Sequence, residues 1–212
     1  MNKPFLLFRG PVKTRSGYGA HSRDLLESLY LMDKYDIRVD SCNWGHTPSI
    51  RLDKNNIFYN WLESNIITSL SVQPDIYVQV TVPNEFNPIG KYNIGITAGI
   101  ETTIAPADWI VGSNKMDLII ATSKFSADVL SNTIYRENTI QGAVDHRIIK
   151  PIEVLFEGAD IDVYKKTKDY LNLDIKEDFC FLFVGHWLKG TLGEDRKNIG
   201  MLIKCFAHAF NE

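Results

Sequence analysis

Short apolar runs, most of them continuous rather than cleanly alternating, are separated by stretches of helical periodicity from residue 5 to residue 158, and they constrain the fold more than any other feature. The runs are FLLF (5–8), IRVD (37–40), DIYVQV (75–80), YNIGIT (92–97), DLIIAT (117–122) and IEVLFEG (152–158). A strand with one face in water alternates apolar and polar residues, whereas a parallel strand covered on both faces reads as a continuous apolar run. Helical patterns lie between them. Tyr18, Leu25, Leu29 and Met32 share a stripe over 18–32, and Phe58, Trp61 and Leu62 mark 57–70. Pro106 near a first turn and Trp109 on an apolar face mark 106–116, and Ser123 is placed to cap a helix over 124–132. Such alternation predicts an α/β fold, a Rossmann-like parallel sheet flanked by helices, whose ligands sit beyond the carboxyl ends of the strands.

Near residue 160 the texture changes. IDVYKKTKDYLNLDIKEDF is polar and charged, and reads as a linker with one short helix. FCFLFVG (179–185) then opens what reads as a fresh strand, followed by the charged loop GEDRKN and a helix carrying Ile199, Leu202, Ile203, Phe206 and Phe210. One strand and one helix cannot cover both faces of a new sheet. The expected organisation is a first domain and linker over 1–171 and the first strand and helix of a truncated second domain over 172–212. An uncovered apolar strand is a pairing hazard, so this segment is expected either to pack against the first domain or to self-associate with another copy of the chain.

At 212 residues the chain has room for one generous domain and a fragment of another. A net charge of −3 lacks the basic surplus of a nucleic-acid binder. No stretch approaches the roughly 18 apolar residues of a membrane span. Arg9 interrupts the N-terminal apolar run too early for a signal peptide. Cys42, Cys180 and Cys205 are widely spaced, which points to reduced thiols in a cytoplasmic protein, free or peripheral to a membrane, with neither a disulfide framework nor a zinc site.

Two segments can carry chemistry. The first is RGPVKTRSGYGAHSRD (9–24), after the first strand. Gly17 and Gly19 let the backbone approach a ligand, and the helix start beyond them offers unpaired N–H groups to an anion, with Lys13, Arg15 and Arg23 nearby. A flexible surface loop is the competing reading. Gly17, Gly19 and Asp40 approximate a dinucleotide fingerprint, but Ser22 stands where the third glycine belongs and a long loop precedes Gly17. The second segment runs from Tyr92 to Ser126. Glu101 follows a strand and precedes a Pro-initiated helix, so its carboxylate sits at the ligand-facing end of the sheet.

In order and spacing, Gly95, Glu101, Thr102, Pro106, Trp109, Asn114, Met116, Asp117, Ser123 and Phe125 resemble a stretch of the group 1 (GT4-like) glycosyltransferases of GT-B fold. There an Ile/Leu-Gly strand leads to a Glu-Thr pair, a Pro-x-x-Trp helix, an Asn-x-Met-Asp turn and a Ser-x-Phe step. VLFEGADIDVYKK, with Gly158, Asp160 and Tyr164, resembles the interdomain segment of that family, and FLFVGHWLKGTLGEDRKNIGMLIKCFAHAF resembles the opening of its donor-binding domain. The resemblance thus covers nearly the whole chain. It implies retaining transfer of a sugar from a nucleotide sugar, such as a UDP- or GDP-sugar, to a saccharide, lipid or protein acceptor, without a metal or other cofactor.

The same resemblance assigns roles. Glu101, Arg196 and Lys197 are the catalytic candidates. Arg196 and Lys197 would stabilise charge on the departing diphosphate, and the backbone of Gly17, Tyr18 and Gly19 would complete the phosphate cradle. His21, Asn84, Glu85 and Thr102 are the acceptor-side candidates. The sequence also departs from the family. VTVPNEFNP lacks the histidine that many relatives carry after the fourth strand, and His186 replaces an arginine after the donor domain's first glycine. The family's Glu-x7-Glu element would lie downstream of residue 212, so this chain alone is expected to bind a nucleotide sugar poorly and to turn over little or not at all. The residues also admit a nicotinamide-dependent oxidoreductase built on Gly17, Gly19 and Asp40, a non-catalytic carbohydrate-binding or interaction module, and a sugar-nucleotide epimerase of the same two-domain fold.

Overall fold

A computed structural model describes residues 3–140, 142–162, 164–167, 172–185, 194–195 and 197–210. The chain divides into two compact units, one ending at Asp160 and one beginning at Ile161. In the first unit the apolar runs become strands β1 (Phe5–Gly10), β2 (Asp36–Ser41), β3 (Ile76–Val80), β4 (Tyr92–Thr97), β5 (Leu118–Ala121) and, after a hairpin of β6 (Tyr135–Thr139) and β7 (Gly142–His146), β8 (Ile152–Val154). Helices α1 (Gly17–Met32), α2 (Ile57–Asn65), α3 (Ala107–Ser113) and α4 (Lys124–Asn132) alternate with them, together with a 3-10 turn at Pro83–Glu85. The unit is a Rossmann-like α/β fold, with a six-stranded sheet in the order β2-β1-β3-β4-β5-β8 and every neighbouring pair parallel.

The period of two along each strand sends alternate side chains to opposite faces, and each face has its own core. Leu6, Phe8, Ile37, Val39, Val78, Val80 and Ile96 pack with Leu26 of α1 and with Phe58 and Leu62 of α2. Leu7, Tyr77 and Ile119 point the other way, onto Phe86, Ile110 of α3, Met116, and Val129 and Leu130 of α4. Each fully buried Leu, such as Leu6, Leu26 or Leu62, stabilises by about 1.5–3 kcal/mol. Within α1 the stripe is shifted from the expected one. Leu26 is buried, Leu25 and Leu29 are partly buried, and Met32 is exposed.

Helix α2 is shorter than its periodicity suggests. The amide of Asn65 turns back to donate to the Trp61 carbonyl, and Ile66 is extended. Ile66 forms a parallel bridge to Val39, and Ile67 N–H donates to the Val39 carbonyl at 2.9 Å. The β-branched pair thus adds a rudimentary strand outside β2, where such residues pack well. At the opposite edge β8 ends at Val154, and Phe156 is 80% exposed, so the expected strand over 152–158 forms only in its first half.

Because β1 is followed by β2 on one side and by β3 on the other, the strand order reverses between β1 and β3. The crevice beyond their carboxyl ends is the ligand position of doubly wound sheets. The segments 11–16, 81–86 and 98–106 emerge at that end.

In the second unit α5 (Ile199–Ala209) is the only helix among the described residues, and 179–185 carries no ladder. The strand expected at FCFLFVG is therefore not formed, because a strand exists only where a neighbour accepts its backbone hydrogen bonds. Phe181 instead packs edge-on against Phe206 at 5.7 Å, and Phe206 lies 4.7 Å from Phe210.

Candidate functional site

The loop after β1 is braced rather than loose. Thr14 N–H and its hydroxyl both donate to the Pro11 carbonyl, Arg15 N–H donates to Pro48, and Ile50 N–H donates to Lys13. The guanidinium of Arg23 donates to the carbonyls of Val12 and Thr14 at 2.9 and 3.1 Å, so it serves as a strut beneath the loop. Ser16 caps α1, its hydroxyl accepting from Gly19 N–H at 2.9 Å. The N–H groups of Gly17 and Tyr18 precede the first intrahelical bond and carry the positive end of the helix dipole. Gly17 is open, with nothing within 4 Å of where a Cβ would stand. Gly19 is closed off, since its Cβ would meet the Thr14 carbonyl at 2.4 Å. One motif glycine thus faces space and the other lets the loop lie on the helix.

Tyr18 joins this loop to the next. Its ring stacks on Trp44 with centroids 4.1 Å apart. Its hydroxyl lies 3.0 Å from Thr97 Oγ1 at the end of β4 and accepts from Ala98 N–H at 3.1 Å. Burial pushes the phenol's pKa up, so it stays protonated at neutral pH. The Ala98 carbonyl accepts from the hydroxyls of Thr122 and Ser126, which fixes the root of the 98–106 loop from both sides. Glu101 and Thr102 are exposed on that loop, and the Thr102 hydroxyl donates to the Ile104 carbonyl in a local turn.

Asn84 and Glu85 are exposed on the 3-10 turn after β3, at the same end of the sheet. Gln79, 2% exposed, shapes that turn. Its amide donates to the Glu85 carbonyl at 2.8 Å, and its oxygen accepts from Asn87 N–H. Helix α3 presses directly on the turn, because a Cβ on Gly112 would fall 1.8 Å from the Pro83 carbonyl. No protein-family model, curated protein or solved structure matches this chain.

His21 is mostly buried in α1, with Nδ1 3.5 Å from the Glu157 carboxylate. Its Nε2 is enclosed and has no hydrogen-bond partner among the described residues. The carboxylate favours the imidazolium, but burial outweighs it and lowers the pKa, so His21 is neutral at pH 7. Asp40 does not stand ready for a ribose. Its carboxylate is paired with Arg9 across β1 and β2, in register.

In the second unit Arg196 lies outside the described residues, as does His186. Lys197 is exposed just before α5. The start of α5 already holds an anion of its own, since the Asp195 carboxylate accepts from Ile199 N–H at 2.9 Å and Gly200 N–H at 3.2 Å. Those amide bonds hold the Asp195 pKa below the usual carboxylate range. No group of three or more His, Cys, Asp or Glu side chains converges as metal ligands among the described residues, and no helix there is long and apolar enough to cross a membrane.

The carboxyl end of the first unit's sheet thus gathers Gly17, Tyr18, Glu85 and Glu101 from three separate loops. Thr97 and Trp44, the partners that fix Tyr18, carry no sequence signal beyond a strand end and a loop tryptophan. Cavities of about 320 and 120 Å³ lie elsewhere in this unit, lined by neither α1's N-terminus nor the Glu101 loop. The loops at this end of the sheet offer two amide donors, hydroxyls and carboxylates. Such groups can hold an anion at α1 and accept hydrogen bonds from the hydroxyl groups of a second ligand.

Proposed function

We propose that the chain is a retaining glycosyltransferase of the GT-B, group 1 type, acting on a nucleotide sugar. In the proposed reaction an acceptor hydroxyl oxygen bonds to the anomeric carbon while the bond from that carbon to the diphosphate oxygen breaks. The bonding pair departs with the nucleoside diphosphate, which also takes the hydroxyl proton. The amides of Gly17 and Tyr18 would hold diphosphate oxygens, with Gly19 keeping the loop close. Glu101, with Glu85, Asn84, Thr102 and His21, would orient acceptor hydroxyls by hydrogen bonding. Arg196 and Lys197 would offset charge on the departing diphosphate. No metal or cofactor is required in this scheme, and the acceptor can be a saccharide, a lipid or a protein.

One observation carries the reading. The glycine loop, to which the resemblance assigns diphosphate contacts, and the Tyr92–Ser126 segment, which carries part of that resemblance, are far apart in sequence, yet the Tyr18 hydroxyl ties them together at Thr97 and Ala98. They meet at the end of the sheet where doubly wound folds bind ligands.

The test is a backbone amide NMR titration of the chain with UDP-glucose, GDP-mannose and NAD⁺ in parallel. The expected result is weak binding of a nucleotide sugar that shifts the amides of Gly17, Tyr18 and Ala98, with little turnover. Nucleotide sugars that leave these amides unmoved, or NAD⁺ that binds more tightly than either of them, would overturn the proposal.

A further inference from the structure

At the amino ends of the strands, opposite the crevice just described, a groove of about 320 Å³ opens between the C-terminal end of α1 and helix α2, over the start of β2. Its volume lies at the lower end of the range of small-molecule pockets, about 300–1,000 Å³. Tyr30 and Trp61 form one wall, with ring centroids 4.7 Å apart and planes inclined by 40°. Both rings rest on Phe58, at 5.8 and 5.9 Å, and Phe58 is only 4% exposed. The aromatic ledge is therefore anchored in the core.

The polar lining is balanced in charge. Lys3 is salt-bridged to Asp33, and Arg38 to Asp36 at 2.7 Å. Arg38 Nη1 also donates to the Ile37 carbonyl and to Asn65 Oδ1, at 2.9 and 3.1 Å. All of these bonds use Nη1, so the guanidinium is held in place while its remaining N–H groups have no partner among the described residues. The Asn65 amide donates to the Trp61 carbonyl at 2.8 Å, which ties the polar lining to the ledge.

These features select a class of ligand. A phosphate or carboxylate is recognised by a surplus of cationic donors, and here each cation is already matched by a carboxylate. A ligand ammonium likewise finds no surplus of negative charge. What the groove offers is a dense set of donors and acceptors beside two aromatic faces. A pyranose ring has that complement, an apolar C–H face for the rings and a rim of hydroxyls that both donate and accept. We propose that the groove between α1 and α2 binds a neutral saccharide ring, as a site separate from the crevice at the carboxyl ends. The proposal stands on the groove's own residues and does not depend on glycosyl transfer.

The experiment titrates the full chain with glucose, N-acetylglucosamine and maltose, and in parallel with adenosine and inorganic phosphate. It reads backbone amide, Arg38 guanidinium and Trp61 indole signals. The expected outcome is millimolar binding of at least one of the three saccharides, with shifts confined to the groove. Asn65→Ala and Trp61→Ala should each weaken it by about tenfold, and Trp61→Phe, which keeps a ring on Phe58, should recover part of the loss. Gly17→Ala should leave it unchanged. Binding of adenosine or phosphate in preference to the saccharides would overturn the proposal. So would groove signals that none of the saccharides moves, or saccharide binding unaffected by Asn65→Ala in a protein with native amide shifts.

Discussion

Gly17 and Gly19 look equivalent in the sequence, yet opposite effects are expected when each is replaced by alanine. At Gly19 the new methyl would stand 2.4 Å from the Thr14 carbonyl, 2.7 Å from its hydroxyl and 2.9 Å from the Pro11 carbonyl. Favourable carbon contacts begin near about 3.5 Å, so helix and loop would have to separate by roughly 1 Å. Two of the three obstructing atoms are backbone, in a loop tied down by Arg23, Pro48 and its own turn bonds. Overpacking of this kind costs about 1–3 kcal/mol, and distorting the Ser16 cap adds up to about 1 kcal/mol. Alanine's better helix propensity returns about 0.5–1 kcal/mol. Taken at mid-range, the balance for Gly19→Ala is a loss of about 2 kcal/mol. At Gly17 nothing lies within 4 Å of the methyl, so Gly17→Ala should be neutral or stabilising by up to about 1 kcal/mol. Urea unfolding of each variant, followed by circular dichroism, measures both. A Gly19→Ala protein within about 0.5 kcal/mol of wild type, or a Gly17→Ala protein destabilised by more than about 1 kcal/mol, would refute the reasoning from close packing. The pair also separates folding from function. A methyl at Gly17 crowds an anion on the α1 amides, so nucleotide-sugar binding should weaken there while stability holds.

Tyr18→Phe keeps the stack on Trp44 but removes the hydroxyl shared by Thr97 and Ala98. The expected loss is about 1–2 kcal/mol, and a double-mutant cycle with Thr97→Val should show a coupling of about 1 kcal/mol. Stability should also fall in two stages as the pH drops. The His21 pKa is lowered in the fold, so below about 6.5 the unfolded chain takes up a proton that the folded chain resists. Above that pH the residue is neutral in both states, and its contribution is fully present. The second stage belongs to carboxylates whose pKa the fold lowers, Asp145 and Asp195 as well as Asp75 and Asp117. Asp75 is held below the usual carboxylate range by Lys91 and by the Phe5 amide, and Asp117 by the side chain and backbone amide of Asn93. Their contribution is present above the ordinary value of about 3.9 and is lost as the pH falls through their lower folded values. Urea midpoints measured against pH check both stages. His21→Phe should abolish the first, and Asp75→Asn should shrink the second.

The sheet was legible in the sequence because both its faces are covered. Strands such as β3 and β5 keep apolar residues at successive positions, and their limits in the fold lie within a residue of the apolar runs. Ser123 was legible as a cap because its hydroxyl has the local task of accepting from Ser126 N–H at 3.1 Å. The hairpin β6–β7 was not legible. Its residues are mostly exposed and polar, joined across the strands by Arg136–Asp145 and Glu137–His146 pairs that leave no apolar period. The early end of α2 was hidden for a related reason. Ile66 and Ile67 continue the apolar pattern of the helix, and only the neighbouring edge of β2 turns them into extended chain. In the crevice the glycines and Glu101 could be picked out by type. Thr97 and Trp44 could not, because their roles exist only through contacts to Tyr18.

Many of the residues that carry the family resemblance between Gly95 and Phe125 are occupied in building the fold. Asn114 donates to the Arg147 carbonyl and accepts from Ile149 N–H, holding the approach to β8. Met116 is fully buried, and the Asp117 carboxylate accepts from Asn93 N–H at 2.9 Å at the start of β4. Ser123 caps α4, and Trp109 packs against the core. Any sheet with this arrangement of α3, β5 and α4 needs such groups, whatever chemistry it carries. Discrimination between functions therefore falls to groups that the fold does not consume, such as the Gly17 and Tyr18 amides and the exposed side chain of Glu85. Binding that depends on these groups and survives conservative changes at Asn114 or Asp117 would belong to the crevice. Binding lost equally at both sets would report only that the domain had come apart.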